Sequence, residues 1–272
     1  MTITGTAAGV PFTALPPATD GPAPLVVSWH MLDAPRTDAA FAAALPMAGV
    51  PAWRVHLGMP MCGARMVDGS LDAIIALARQ DPLLNFMAPF VNQAAAEFPA
   101  ALAALREQLP VDGGSVHLLG ASLGGAVALE VLTGGAVPVR SAALVNPAVR
   151  IRSAIGMVAG LAGREYAWSA ESDAVAAALD FVARAGEIGE ASPLLIVSGE
   201  HDDANLRADA AELVAALRSR RLRADVVTVE GLGHALADEP GLEPAPPSPA
   251  ARAVDAVLTE WFSEQVTGDA IT

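Results

Sequence analysis

Short runs of apolar residues recur along the chain, at residues 25–30, 52–57, 115–119, 141–147, 193–198 and 224–229. Each is rich in Val, Leu, Ile or Ala, bounded by Gly, Pro, Asp or Asn, and of strand length. Within them both alternating positions are apolar, the pattern of strands covered on two faces rather than one. Between the runs the apolar positions fall at helical spacing. Helices are predicted over 39–45, with Thr37 or Asp38 as the cap, over 91–109, 125–132, 206–221 and 249–265. The stretch 71–90 is less regular: one or two helical turns fit 72–79, and Asp81-Pro82 and Ala88-Pro89 are expected to break any longer helix. Strands alternating with helices specify an α/β architecture, a mostly parallel sheet with helices on both faces and ligands at the carboxyl ends of the strands.

Residues 1–24, rich in Thr, Ala, Pro and Gly, read as an N-terminal arm. Residues 25–265 read as one domain, with 150–190 a mixed helical insertion suited to a small cap, and 266–272 as a C-terminal tail. A chain of 272 residues buries about three quarters of its unfolded surface and needs neither disulfides nor metal to hold it. Its one cysteine, Cys62, allows no internal disulfide, and without a CxxC partner it is expected in a loop or pocket wall rather than as a nucleophile.

Charge narrows the function further. The net charge is −14, and all 16 basic residues are arginine. Without lysine there is no Schiff-base chemistry and no P-loop. An acidic chain without a basic patch argues against nucleic acid or an anionic membrane as partner. No apolar run reaches membrane-spanning length, and the first residues carry neither the basic nor the apolar region of a secretory leader, so a cytoplasmic protein is expected.

The chemistry-bearing stretch is Gly120-Ala121-Ser122-Leu123-Gly124. A predicted strand precedes it and a predicted helix follows, the context in which a sharp turn lifts a serine hydroxyl clear of the sheet. A serine hydroxyl needs an imidazole to take its proton, and that imidazole needs a carboxylate to fix its tautomer. Gly199-Glu200-His201-Asp202-Asp203 and Gly231-Leu232-Gly233-His234 follow two further strands, so in a parallel sheet Ser122, Asp202 and His234 emerge at one end. Asp203 competes with Asp202 for the carboxylate role.

With these three motifs, residues 25–265 resemble the serine hydrolases of the α/β-hydrolase fold, nearest to the esterase, dienelactone-hydrolase and prolyl-oligopeptidase-like branches. The resemblance implies Ser122 as nucleophile, Asp202 as acid and His234 as general base. It also implies an oxyanion hole from the backbone N–H groups of Leu32 and Leu123. The chain departs from the usual pattern at Met31, where His-Gly is common and a side chain restricts the donor loop. The expected activity is hydrolysis of a small, partly apolar carboxylic ester through an acyl-enzyme, with no cofactor and no metal. Peptidase, thioesterase and acyltransferase activities of the same fold remain open, as do a cofactor-free lyase or haloperoxidase-like activity and a non-catalytic ligand-binding role.

The other histidines have quieter expected roles: His30 anchors a loop, His56 and His117 lie within strands, and His201 sits in the acid loop. No histidine pair has metal-ligand spacing with a carboxylate. Pocket walls are expected from Met61, Phe86 and Trp168, among loop residues that include Met59, Cys62, Met87, Phe90 and Tyr166 and that could equally be ordinary packing. The insertion offers no bulky amphipathic lid helix, so short-chain soluble esters are expected to be cleaved better than long-chain emulsified ones.

Overall fold

A computed structural model describes residues 2–189 and 192–268. The strands are β1 (Ile3–Ala7), β2 (Val10–Leu15), β3 (Ala23–Trp29), β4 (Trp53–Leu57), β5 (Val111–Ala121), β6 (Val139–Val145), β7 (Leu194–Gly199) and β8 (Ala224–Val229). The helices are α1 (Asp38–Ala44), α2 (Asp72–Gln80), α3 (Ala88–Gln108), α4 (Leu123–Gly134), α5 (Ile151–Leu161), α6 (Ala170–Ala178), α7 (Ala204–Ser219) and α8 (Pro249–Gly268). One sheet runs β1-β2-β4-β3-β5-β6-β7-β8; its first three strands pair antiparallel and the rest parallel. This is the α/β-hydrolase arrangement, and the strand predicted from each apolar run is present.

Successive residues of the central strands feed two separate cores. Leu25, Val27 and Trp29 of β3, Leu144 of β6 and Ile196 of β7 face one side, where α3, α4, α5 and α7 pack. Val26, Val145 and Val197 face the other, against Phe41 of α1 and Val254, Leu258 and Phe262 of α8. Two cores explain why the strands read as continuous apolar runs rather than alternating ones.

Three expectations need correction. Residues 2–24 of the expected arm are not an arm: β1 and β2 form a hairpin that pairs with β4 and extends the sheet. Val10, Phe12 and Ala14 face the core in alternation, and the two-residue turn at Ala8 and Gly9 holds both at positive φ, 48° and 85°. The sequence signal is weak because β1 is an edge strand, Ile3-Thr4-Gly5-Thr6-Ala7, exposed at all but its last residue and with no run of apolar positions. The Ala88-Pro89 step does not break the helix either. A wide π-helical turn, Pro82–Met87, capped by the Asp81 carboxylate, runs directly into α3, whose first turn tolerates Pro89. Finally, α8 extends past residue 265 with Val266 buried, so of the expected tail only residues 269–272 lie outside the described residues, as do Met1 of the expected arm and residues 190 and 191.

The turn from β5 into α4 brings backbones so close that only glycine fits. A Cβ on Gly124 would stand 2.3 Å from the Trp29 carbonyl oxygen and 2.6 Å from that of His30. Those atoms belong to the backbone at the end of β3 and just beyond it and cannot swing aside. Gly124→Ala is expected to lower unfolding free energy by about 3 kcal/mol, at the upper end of overpacking effects. A denaturant midpoint within error of the wild type would contradict this contact.

Candidate active site

Ser122 occupies the turn between β5 and α4 with φ 51° and ψ −119°, a conformation that non-glycine residues rarely adopt. The strain, about 1–3 kcal/mol, is held by the surrounding backbone: Ser122 N–H donates to Val145 O, and the Ser122 carbonyl accepts from Gly125 and Ala148 N–H. Its hydroxyl lies 2.8 Å from His234 Nε2. His234 Nδ1 lies 2.7 Å from Asp202 Oδ1, and the Asp202 side chain is only 1% exposed. A carboxylate at Nδ1 requires the proton there, which leaves Nε2 free to accept from the serine.

Asp203, the competing carboxylate, is elsewhere engaged. It caps α7 by accepting from the Asn205 and Leu206 N–H groups. Its own N–H donates to Asp202 Oδ1 at 2.7 Å, adding a second donor to the carboxylate that faces His234.

Asn146 gives no motif signal and is the main positioning residue that the sequence did not reveal. At the end of β6, with φ 44°, it donates from Nδ2 to the carbonyls of Gly233 (2.8 Å) and His234 (3.0 Å), and its Oδ1 accepts from Gly199 N–H (2.7 Å). One amide therefore ties the histidine loop to the strand that leads into Asp202. Gly199 must itself be small, because a Cβ there would lie 2.5 Å from the Leu232 carbonyl.

Leu32 and Leu123 both line the cavity at Ser122. The peptide joining Met31 to Leu32 is oriented by His30, whose Nδ1 donates to the Met31 carbonyl at 2.6 Å. His30 Nε2 accepts from Met59 N–H at 3.2 Å, and burial lowers the imidazole pKa to about 4, so the ring is neutral in this role. Met31 takes no positive φ and buries its side chain completely among Val26, Leu45 and their neighbours, so the glycine usual at this position is not required by the backbone. His56 and His117 bond Ser28 and Ser141 at 2.8 Å each, inside the sheet; burial lowers the His56 pKa to about 3. His201 is exposed beside Glu200.

The cavity has a volume of about 180 Å³. Phe86 lines it as expected, with Leu71, Ile74 and Met87, and α5 closes it with Met157 and Val158. Two expected wall residues lie elsewhere. Trp168 is on the far side of α5, edge-on to Tyr166 at 4.7 Å and under the Arg152 guanidinium at 3.7 Å, where the Tyr166 hydroxyl donates to Asp81 and fixes that stretch. Met61 packs against the core beside the cavity, and Cys62 takes its place in the wall. Burial pushes the Cys62 thiol up to about 12, which makes it an inert wall atom.

Burial, the largest single influence, pushes the His234 pKa down, but the Asp202 hydrogen bond and the charges of Asp202, Asp33 and Asp203 outweigh it and leave the value raised. A base must be neutral to accept a proton, so a raised pKa moves the activity limb to higher pH. We expect kcat/KM for a neutral ester to rise through an apparent pKa above about 6.5. A profile flat from about pH 5 to 8 would remove His234 as the base.

Among the described residues, no group of three or more His, Cys, Asp or Glu side chains is placed to hold a metal ion, and no helix is long and apolar enough to cross a membrane. The profile of the prolyl oligopeptidase family matches residues 92–242 of the chain. No curated protein matches it. Among solved structures, TT1662 from Thermus thermophilus is 21% identical with a TM-score of 0.61, covering 96% of this chain and 98% of that one. Carboxyl esterase 2 from Tuber melanosporum is 15% identical with a TM-score of 0.57, covering 98% and 86%. An acylaminoacyl peptidase from Pyrococcus horikoshii is 12% identical with a TM-score of 0.65, covering 98% of this chain but 41% of its own. These likenesses establish a shared fold.

Proposed function

The chain belongs to the prolyl oligopeptidase family of serine hydrolases, and from that premise we propose that it cleaves carboxylic esters of small, partly apolar acids through an acyl-enzyme on Ser122. The observation that carries this is the Ser122–His234–Asp202 relay opening onto an apolar cavity of about 180 Å³. In the first half-reaction Ser122 Oγ attacks the ester carbonyl and its proton passes to His234 Nε2. The tetrahedral oxyanion accepts from the Leu32 and Leu123 N–H groups. The C–O bond then breaks, and the leaving alcohol takes the proton from His234. Water repeats the sequence, giving its proton to His234, and the released acid leaves Ser122 as the hydroxyl.

Cavity size supports a short acyl group. A dry cavity of about 150 Å³ takes up benzene, so this one suits an acyl chain of a few carbons and not a palmitoyl tail. The small-molecule ester is the proposed partner, and the acidic surface makes a cytoplasmic setting without nucleic-acid or membrane partners the matching proposal. A peptidase role on short acylated peptides uses the same chemistry, and the family match favours it as the second reading.

Treatment with a fluorophosphonate followed by peptide mass spectrometry is expected to place the label on Ser122. Acetyl and butyryl esters of one phenol are expected to give higher kcat/KM than the palmitoyl ester. An unlabelled Ser122 in folded protein removes the hydrolase mechanism, and faster palmitoyl cleavage removes the short-chain assignment. Faster cleavage of an acylated amino-acid anilide than of any ester would favour the peptidase reading.

A further inference from the structure

The wall of the cavity is mostly apolar, and the charged residues lining it are Asp33 and Arg36. The two are not equivalent. Arg36 forms an ion pair with Glu239 at 2.6 Å, donates from Nε to the Pro240 carbonyl at 3.0 Å, and donates from Nη1 to the Leu32 carbonyl. Its charge is spent on joining the Leu32 loop to the loop that follows His234. Asp33 has no arginine within ion-pair distance among the described residues. Its Oδ2 lies 3.3 Å from His234 Nε2, the same nitrogen that the Ser122 hydroxyl approaches at 2.8 Å, and the side chain is 42% exposed. Beside the nucleophile, therefore, stands a carboxylate facing solvent with no fixed counter-charge.

Position decides which part of a substrate meets it. His234 Nε2 is the atom that returns a proton to the leaving oxygen, so a group in contact with that nitrogen borders the leaving group rather than the acyl chain. The acyl chain has the apolar cavity, walled by Ile74, Phe86, Met87, Met157 and Val158. Resting on the hydrolase mechanism above, we propose that Asp33 is a specificity residue for the alcohol side of the ester. It favours esters of amino alcohols, whose ammonium lies two carbons from the ester oxygen, with a short apolar acid on the other side.

Charge logic supports this in two ways. An ammonium in that position lies within a few ångströms of Asp33, whereas an anionic alcohol group meets repulsion from both Asp33 and the overall charge of −14. The second effect concerns the proton. Once His234 is an imidazolium, Asp33 competes with the leaving oxygen for the Nε2–H. A cation bound to Asp33 draws that carboxylate away from the competition and leaves the proton for the leaving oxygen.

The test compares butyrylcholine with its neutral isostere, 3,3-dimethylbutyl butyrate, by the ratio of their kcat/KM values in the wild type, Asp33→Asn and Asp33→Glu. The intrinsic reactivities of the two esters cancel when ratios are compared between variants. Because Asp33 is partly exposed, the expected loss of the ratio in Asp33→Asn is about tenfold rather than the larger factor of a buried pair. Asp33→Glu is expected to retain most of the preference. Raising salt from about 20 mM to about 0.5 M should lower the wild-type ratio by clearly more than that of Asp33→Asn, which keeps only the screened attraction of the overall charge of −14. An Asn variant with the wild-type ratio overturns the proposal while leaving the hydrolase mechanism standing. If that variant does not fold, the wild-type salt series decides, and a ratio independent of salt overturns it. Failure to cleave either ester, with Ser122 unlabelled by fluorophosphonate, overturns the hydrolase mechanism and this assignment with it.

Discussion

Ser122→Ala is expected to reduce kcat for a butyryl ester by about five to six orders of magnitude, the scale seen when the nucleophile of a serine hydrolase is removed. On the proposed mechanism the Ser122 hydroxyl forms the acyl-enzyme, and the Cys62 thiol, buried and held protonated, does not replace it. A residual rate of about 10³–10⁴ over water is expected to survive, carried by binding in the cavity and by the proposed oxyanion donors, the Leu32 and Leu123 N–H groups. Binding of the substrate should change little, so the loss falls on kcat. The strained turn supplies an independent check. Alanine keeps the positive φ of 51° and its strain, whereas glycine relaxes it. Ser122→Gly should be as inactive as Ser122→Ala but more stable than it by about 1 kcal/mol in denaturant unfolding. Retention of more than about one part in a hundred of wild-type kcat by both variants would move the nucleophile elsewhere.

How far the sequence leads depends on how local each feature is. The central strands announce themselves because two separate cores flank the sheet, so Val26 and Val27, or Val145 and Leu144, are both apolar although they face opposite sides. The turn at Ser122 is equally legible, since Gly120 and Gly124 sit on either side of it and its strand and helix are contiguous with it. The hairpin of β1 and β2 is not. Its edge strand exposes Ile3, Thr4, Gly5 and Thr6 and buries only Ala7, so only the alternation of Val10, Phe12 and Ala14 marks it. Features made by distant segments are the least legible. Asn146 acts on residues 53 and more positions away, and nothing in Val145-Asn146-Pro147 states that its amide will reach Gly199 and His234. Asp33 belongs to no motif in the sequence, and only the fold places it 3.3 Å from His234 Nε2. Trp168 failed for the opposite reason. Its aromatic character suggested a pocket wall, but the hydrogen bond from Tyr166 to Asp81 holds that stretch across α5 from the cavity.

The adjacent aspartates make the second large effect a matter of tautomers. Asp202→Asn is expected to lower kcat about 10⁴-fold with little change in stability, because an amide can replace the carboxylate in shape but not in what it requires of His234. With Asp202 Oδ1 at 2.7 Å the ring must carry its proton on Nδ1 and offer a bare Nε2 to Ser122. An asparagine amide can donate to Nδ1 instead, and the proton then sits on Nε2, where it blocks acceptance from the serine. The imidazolium also loses the hydrogen-bonded negative charge that stabilises it in the transition state. Asp203→Asn should behave quite differently. Its carboxylate caps α7 through the Asn205 and Leu206 N–H groups, and asparagine caps about as well as aspartate, so stability should stay within about 0.5 kcal/mol. Removing its charge weakens one of the influences that raise the His234 pKa, so the activity limb should move slightly to lower pH while the plateau kcat stays within a few fold. Measuring kcat against pH for both variants separates the roles. A plateau lost in Asp203→Asn and kept in Asp202→Asn would transfer the acid to Asp203 and require the 202–203 turn to rearrange when substrate binds.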